Sequence, residues 1–474
     1  MAMASAYPKY QPLDSRWLPR VPEHWSMLRA KNFLREIDDR SKTGEETLLS
    51  MRMQRGLVPH NDVSVKRIAP ENLIGYKKAQ PDDLVLNRMQ AGNAMFFRNR
   101  QPGLVSPDYA VFRLLRDDNP EYLGHLFRSW PMRGLFRSES KGLGTGTSGF
   151  LRLYSDRFAA LEIPLPPRPE QDQIVAYLRA QDAHIARFIR AKRELIKLLT
   201  EQKLAIVDRA VTRGLNPAAP LKPSGIEWLG EVPEHWEVAL IKHVADVRFS
   251  GVDKHSHDHE TPVRLCNYTD VYKNDCITED MDLMRATATA AEIARLTLKA
   301  GDVILTKDSE TPEDIGVPAW VPEDLPGVVC AYHLALLRPL QNRVLGEFLF
   351  RTIGSARTAQ QFHVLATGVT RFALGKHDVK NAVVALPPVE EQQAICRWIA
   401  DECQPLDEAI ARAEQEIKLI REYRDRLIAD VVTGQIDVRG WQPGPDDVAS
   451  DEELAALGDD EASNGDEEEA DGDN

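Results

Sequence analysis

Cysteine is scarce in this 474-residue chain: the five present, Cys266, Cys276, Cys330, Cys396 and Cys403, are odd in number, lie in the second half and form no C-x-x-C pair. That pattern excludes a disulfide framework or a zinc ribbon and leaves buried or neutral free thiols. Long apolar runs are missing too. None approaches the ~20 residues that a membrane span needs, and the opening residues lack the charged and apolar regions of a signal peptide, so a cytoplasmic protein is expected. Motifs for group transfer are equally absent: there is no G-x-x-x-x-G-K-[ST] phosphate loop, no Asn-Pro-Pro-aromatic or Asp-Pro-Pro-aromatic motif and no G-x-S-x-G elbow. The chain is therefore expected to be non-catalytic, with no metal or cofactor of its own.

An excess of positive charge is lacking as well, since 73 Asp and Glu face 59 Lys and Arg for a net charge of −14. Residues 446–474 hold 14 of the acids and no Lys or Arg, so the rest of the chain is balanced at 59 of each. The deficit belongs to a tail with too little apolar surface to offset the entropy of ordering, and disorder is expected there.

What the chain does have is an internal duplication. "WLPRVPEHW" (Trp17 to Trp25) returns as "WLGEVPEHW" (Trp228 to Trp236), and "LPPRPEQDQI" (Leu165 to Ile174) returns as "LPPVEEQQAI" (Leu386 to Ile395). The second register continues without a gap to Val211 and Val432. Each repeat reads as a Trp-Pro opening, a mixed module, a Leu-Pro-Pro stop and a helix. Two prolines cannot sit inside a helix, whereas the Pro/Glu/Gln segment after them suits a first turn, where acids favour the dipole. The pattern predicts helices from near Pro169 to Arg213 and from Val389 to Thr433, stopped by "RGLNP" and "TGQI".

Apolar residues recur three and four apart in both helices: Ile174, Leu178, Ile185, Phe188, Leu195, Leu199 and Ile206 in the first, and Ile395, Ile399, Leu406, Ala409, Ile410, Ile417, Ile420 and Leu427 in the second. Such a seam calls for a partner, and an intramolecular antiparallel coiled coil with pseudo-two-fold symmetry buries both stripes in one chain. Pro405 is expected to kink or interrupt the second helix. Within the modules, "DLVLNRM", "YAVFRLL" and "ALEIPLP" in the first, and "GDVILTK", "HLALLRP" and "AVVALPP" in the second, read as strands. "EYLGHLFRSWPMRGLFRS" and "LGEFLFRTIGSARTAQQF" read as helical, so both modules are α+β.

These readings divide the chain into an N-terminal extension (1–16), a first module (17–165), a first helix (166–214), a linker (215–227), a second module (228–386), a second helix (387–434) and a C-terminal segment with the acidic tail (435–474). The duplicated order of "VPEHW", of "LPP" with "EQ" before a long helix, and of "GTSGFLRL" (Gly146 to Leu153) echoed by "GVTRFAL" (Gly368 to Leu374) resembles the specificity subunits of type I restriction-modification systems. The resemblance spans Trp17 to Val438 and departs from the family pattern at Gly149, where the second module has Arg371.

It implies two target recognition domains that read an asymmetric bipartite site in double-stranded DNA, and partners that act on it: two methyltransferase subunits and two motor-nuclease subunits. S-adenosylmethionine, ATP and Mg would belong to those partners. A methyltransferase or nuclease fused to such domains, or a coiled-coil adaptor, are the alternatives.

Candidate DNA contacts follow from residue type and place. The Gly-rich stretch Lys141 to Gly149 offers Lys141, Thr145, Thr147 and Ser148 as phosphate donors, with Arg152 just beyond; a merely flexible loop is the alternative. Its counterpart offers Thr367, Thr370 and Arg371. "LNRMQAGN" contributes Arg88, Gln90 and Asn93, and the corresponding "LTKDSE" contributes Lys307 and Ser309, with surface ion pairing as the competing role. Asp302, Lys307 and Asp308 lack the acid-x-Lys order of a nuclease. His255, His257 and His259 in "HSHDHE" read as a solvated loop, and Trp25 and Trp236 as buried packing residues rather than base-stacking ones.

Overall fold

A computed structural model describes residues 6–53, 55–93, 95–143, 150–445, 447–448, 450, 453–454 and 456–458. The chain forms two compact units, Met1–Glu194 with Ala413–Asn474, and Leu195–Arg412. Each unit holds one α+β module, the start of one long helix and the end of the other.

In the first unit the hairpin Tyr10–Pro12 with Arg20–Pro22 opens the module, and Ser26–Arg29 pairs antiparallel with the module's last strand, Glu162–Leu165. A four-stranded antiparallel sheet follows in the order Leu34–Ile37, Ala110–Leu114, Leu84–Leu86, Phe96–Arg98. Its inner face packs Phe96 and Phe112 against Phe127, Phe136 and Phe158, with Phe96 and Phe127 stacked at 4.7 Å.

The second unit repeats this plan. Leu221–Pro223 pairs with Glu231–Pro233, Glu237–Leu240 with Val383–Leu386, and the sheet runs Ala245–Phe249, Leu334–Pro339, Val303–Thr306, Pro318–Trp320. The modules differ in their insertions. The first carries two strand pairs, Leu49–Arg52 with Gly56–Pro59 and Lys77–Ala79 with Gly103–Val105. The second carries a three-stranded sheet, Met284–Ala288, Thr261–Cys266 and Val328–Cys330, with a separate apolar core.

The helical stretch of the first module splits into Pro120–Arg128 and Trp130–Glu139. Pro131 has no N–H for the carbonyl of Phe127, so the ladder cannot continue and Ser129 turns extended. The second module breaks likewise between Gly346–Ile353 and Ala356–Leu365. Burial accounts for the thiols: it pushes Cys396 up to about 12, and all five cysteines are free.

The long helices run Arg168–Arg213 and Val389–Val432, 46 and 44 residues. They pair antiparallel. In the first unit Arg424 grips Asp182 through two bonds of 2.6 and 2.9 Å and Lys192 meets Glu416; in the second Lys203 meets Asp407 at 2.8 Å. Pro405 does not interrupt the second helix. It removes one bond, to the carbonyl of Asp401, from a helix whose neighbouring turns and apolar contacts remain.

The seam is buried at Ile174, Leu178, Ile185, Ile395, Ile399 and Leu427, yet Phe188 and Leu195 are 37 % and 40 % exposed. A helix of 3.6 residues per turn drifts by about 20° per heptad, which carries later members of the stripe off the facing side. Among the described residues no helix is long and apolar enough to cross a membrane.

The duplicated motifs meet where each long helix begins. Pro167 accepts at its carbonyl from the amides of Glu170 and Gln171, and Pro388 from Gln392, starting the first turns. The Glu170 carboxylate, 7 % exposed, accepts from the indole of Trp25 at 3.0 Å, the phenol of Tyr7 at 2.6 Å and the ring Nε2 of His24 at 2.7 Å. Glu391 does the same for Trp236 at 3.1 Å and His235 at 2.8 Å. The next residue ties the other side of the module: Gln171 Oε1 accepts from the amide of Asn119 at 2.7 Å, and Gln392 Oε1 from that of Leu345 at 2.8 Å, just before the helices Pro120–Arg128 and Gly346–Ile353.

The end of the partner helix closes the joint. Gly214 and Gly434 both take φ near +71°, a conformation that favours glycine. A Cβ at Gly434 would lie 2.4 Å from Pro22 and 3.1 Å from Trp25, and one at Gly214 would lie 3.2 Å from both Trp236 and Glu391.

Beyond the second helix, Trp441 stands edge-on to Tyr177 at 5.5 Å, His184 bonds Asp447 at 2.7 Å and Arg187 bonds Glu453 at 3.1 Å. Most of the acidic tail lies outside the described residues.

Glu170→Ala leaves a buried indole and phenol and a partly exposed imidazole without their acceptor and is expected to cost about 2–4 kcal/mol. Glu391→Ala, at a carboxylate that is 29 % exposed and serves two donors, is expected to cost about half as much. Urea unfolding of both variants checks this; equal losses, or none, would contradict the assignment.

Candidate nucleic-acid interface

In each module the candidate loops and hairpin converge on one edge of the four-stranded sheet. In the first, the chain leaves strand Leu84–Leu86 into a turn that closes when the amide of Asn87 donates to the carbonyl of Met95 and the carbonyl of Gln90 accepts from the amides of Asn93 and Met95. A hairpin pairs Lys141 with Arg152 and Gly142 with Leu151, and docks on the turn through the amide of Leu153, which donates to the carbonyl of Arg88 at 3.0 Å. The second module uses the same bond between different residues: Leu374 donates to the carbonyl of Lys307 at 2.8 Å. Here Asp308–Ser309 pairs with Phe372–Ala373, which pairs in turn with Thr367–Gly368. The correspondence of "LNRMQAGN" with "LTKDSE" and of the two hairpins is thus present in three dimensions.

Not all the candidates face outward. Lys141 and Asn93 are exposed, as are Thr367, Thr370 and Arg371 around the tip of the second hairpin. Arg88 is half-buried and its guanidinium pairs with Glu36, beside a Lys77 ammonium whose pKa is lowered by burial and by Arg88 itself. Gln90 is half-buried in its turn. Arg152 lies 3.9 Å from Asp108 and over the Tyr154 ring. Lys307 is 12 % exposed, bonded to Asp308 at 3.0 Å and seated 4.6 Å over the Tyr332 ring. Ser309 is 7 % exposed and hydrogen-bonds Tyr268, whose phenol burial pushes up. These buried members brace the edge, and the exposed ones can reach a polyanion. Thr145, Thr147 and Ser148 lie outside the described residues.

Other readings find their place. Trp25 and Trp236 are 3 % and 1 % exposed and serve the helix junction. Asp302 is buried under a two-pronged Arg338, as Asp83 is under Arg113 in the first module. That repeated ion pair is a structural one. His255, His257 and His259 lie on an exposed loop, and among the described residues no group of His, Cys, Asp and Glu is arranged to hold a metal ion.

Sequence reasoning missed Arg133 and Arg137, which reach Gly92 and Asn93 from the helix Trp130–Glu139; their i,i+4 spacing was the available signal. It also missed Tyr332 and His333, which stand immediately before a strand, where side chains reach a sheet edge.

The two modules share one architecture with different edge chemistry, and each is followed by one of two paired helices, so the chain is a duplicated α+β scaffold. No family model matches the chain. It is 22 % identical over 437 residues to the type I restriction enzyme MjaVIII specificity subunit of Methanocaldococcus jannaschii, covering 89 % of this chain and 95 % of that one. It is 20 % identical over 410 residues to the EcoKI specificity subunit of Escherichia coli, covering 82 % of each. A chain solved in work on complex assembly and conformational transition of the type I R-M system shares the fold, with a TM-score of 0.59 at 15 % identity over 88 % of this chain and 99 % of that one. Along most of its length the chain is thus similar to specificity subunits of type I restriction enzymes, and it shares the fold of a chain from such a system.

Arg371→Ala is expected to weaken binding to duplex DNA and to lower the slope of log affinity against log salt by about 0.9, the loss of one phosphate contact. Ser309→Ala, at a buried position, is expected to leave the slope unchanged. Fluorescence anisotropy from 50 to 200 mM salt reads both; an unchanged slope for Arg371→Ala would remove that residue from the interface.

Proposed function

We propose that this chain reads an asymmetric, bipartite site in double-stranded DNA, one half with each module, and brings partner subunits to it. The observation that carries the reading is the repeated edge: the same backbone bond, from Leu153 to Arg88 and from Leu374 to Lys307, presents a hairpin and a loop of different chemistry in each module. Equivalent frames with unlike tips read unlike half-sites. Exposed cations and hydroxyls set the register on phosphates, and polar side chains at the edge contact bases in the major groove. Two modules of modest affinity on one duplex gain effective concentration from their connection.

The chemistry is assigned to the partners. Two methyltransferase subunits carry S-adenosylmethionine and modify adenine, and two motor-nuclease subunits carry ATP and Mg and cleave. Methylation of a base inside a duplex requires that it leave the stack, so the assembled complex distorts its DNA.

The long helices supply a surface for such partners. Leu198 and Leu419 are 53 % and 52 % exposed, and a groove lined by Phe188, Lys192, Glu416, Leu419, Ile420 and Tyr423 combines apolar walls with one charge of each sign. Apolar patches rimmed by polar groups are where subunits meet.

Methylation-sensitive sequencing of the host genome, with and without the gene, tests the reading. The expected result is one bipartite, non-palindromic adenine-methylated motif that disappears with the gene. A methylome that is the same in both strains, or methylation of DNA by the purified chain without partners, would overturn it.

A further inference from the structure

The geometry points to His333 as a base-reading residue of the second module, held for that task by Asp308. The inference rests on the DNA-reading function proposed above and adds to it the class of base that is read.

Asp308 Oδ2 is bonded to His333 Nδ1 at 2.8 Å and to Lys307 Nζ at 3.0 Å. A carboxylate accepts and does not donate, so the proton of the neutral ring sits on Nδ1 and Nε2 presents a lone pair. Among the described residues nothing is hydrogen-bonded to Nε2. The ring is 31 % exposed and stands at 78° to that of Tyr332, which is 49 % exposed. Lys307, the cation that sequence singles out here, is engaged by Asp308 and by the rings of Tyr332 and Phe249. In this cluster, among the described residues, the imidazole Nε2 is left open to a ligand, as is the hydroxyl of the half-exposed Tyr332.

Its place in the fold is that of the candidate interface. The carbonyl of His333 accepts from the amide of Lys307 at 3.1 Å, and the carbonyl of Lys307 accepts from Leu374, so His333 belongs to the hydrogen-bonded layer that carries Thr370 and Arg371. Ala110 and Ala335 hold the same ladder position, opposite Leu86 and Leu305. Two residues before them the first module has Asp108, near Arg152, and the second has His333. An acid in one module and an imidazole at the same point of the other is the kind of difference that unlike half-sites require.

A lone-pair acceptor in the major groove matches an exocyclic amino group, adenine N6 or cytosine N4, and meets only other acceptors at guanine O6 and N7 or thymine O4. His333 therefore reads an amino-bearing base at one position of the second module's half-site. Asp308 is a positioning residue that sets the tautomer.

The test uses the chain assembled with its methyltransferase partners and a DNA library randomised across the site. His333→Ala is expected to lose roughly 10-fold or more of the preference for adenine or cytosine at one position of that half-site, with every other position and the other half-site unchanged. Asp308→Asn is expected to relax the same position. If the wild-type complex shows a bipartite motif and His333→Ala leaves each position as it was, or relaxes the whole half-site evenly, the inference is overturned while the function stands. Absence of a bipartite motif in the wild type would instead refute the function. For a variant too weak to methylate, direct binding to duplexes that differ at single positions gives the same readout, and a uniform loss there also overturns the inference.

Discussion

Each module depends on one carboxylate in the first turn of its long helix. Glu170 and Glu391 gather the indole and imidazole of "PEHW", and so fix the strand that opens the module to the helix that leaves it. The arrangement suits a carboxylate for two reasons. A negative charge at a helix N-terminus meets the partial positive charge of unpaired amides, and charge-assisted bonds to neutral donors are stronger than neutral ones. The neighbouring Gln171 or Gln392 fastens the module's own helices, and a glycine from the end of the other long helix covers the tryptophan. Two short motifs, more than 140 residues apart in sequence, form one joint, and both are preserved in both repeats for that reason.

The joint leaves the far edge of each sheet free to vary. Where the modules need the same mechanics they keep the same parts: the buried pair of Asp83 with Arg113 returns as Asp302 with Arg338, and the docking bond of the hairpin is retained. At the edge they differ. Arg88 pairs with Glu36 in one module, while Lys307, Asp308 and His333 form a chain of contacts in the other. Even the joint has diverged slightly, since Tyr7 adds a third donor to Glu170 and its phenol is pushed well up by burial and by that carboxylate.

Much of this was legible in sequence because the punctuation is strong. Paired prolines and terminal glycines set the long helices to within a residue or two, and period-two apolar runs marked strands in each module. The duplication revealed the rest of the plan. What stayed hidden was direction. Arg88 and Ser309 are the right residue types for DNA contact, but their side chains turn inward, and spacing does not say which way a residue in a turn points. Phe188 and Leu195 fit the seam by spacing and lie off it by drift. The role of Glu170 was invisible because its partners come from a segment far away in sequence. His333 was passed over because a lone histidine beside a strand is ordinary until Asp308 is seen to hold it.

If the chain reads a bipartite site as proposed, the paired helices that connect its two modules set the length of the unread spacer between the half-sites. Removing seven residues from each helix at facing positions shortens the pair by about 10 Å, or roughly three base pairs of duplex. Mapping the methylated motif of the complex built on that variant is the direct measurement. Both half-sites are expected unchanged and the spacer shorter by about three base pairs. An unchanged spacer, with methylation intact, would contradict it.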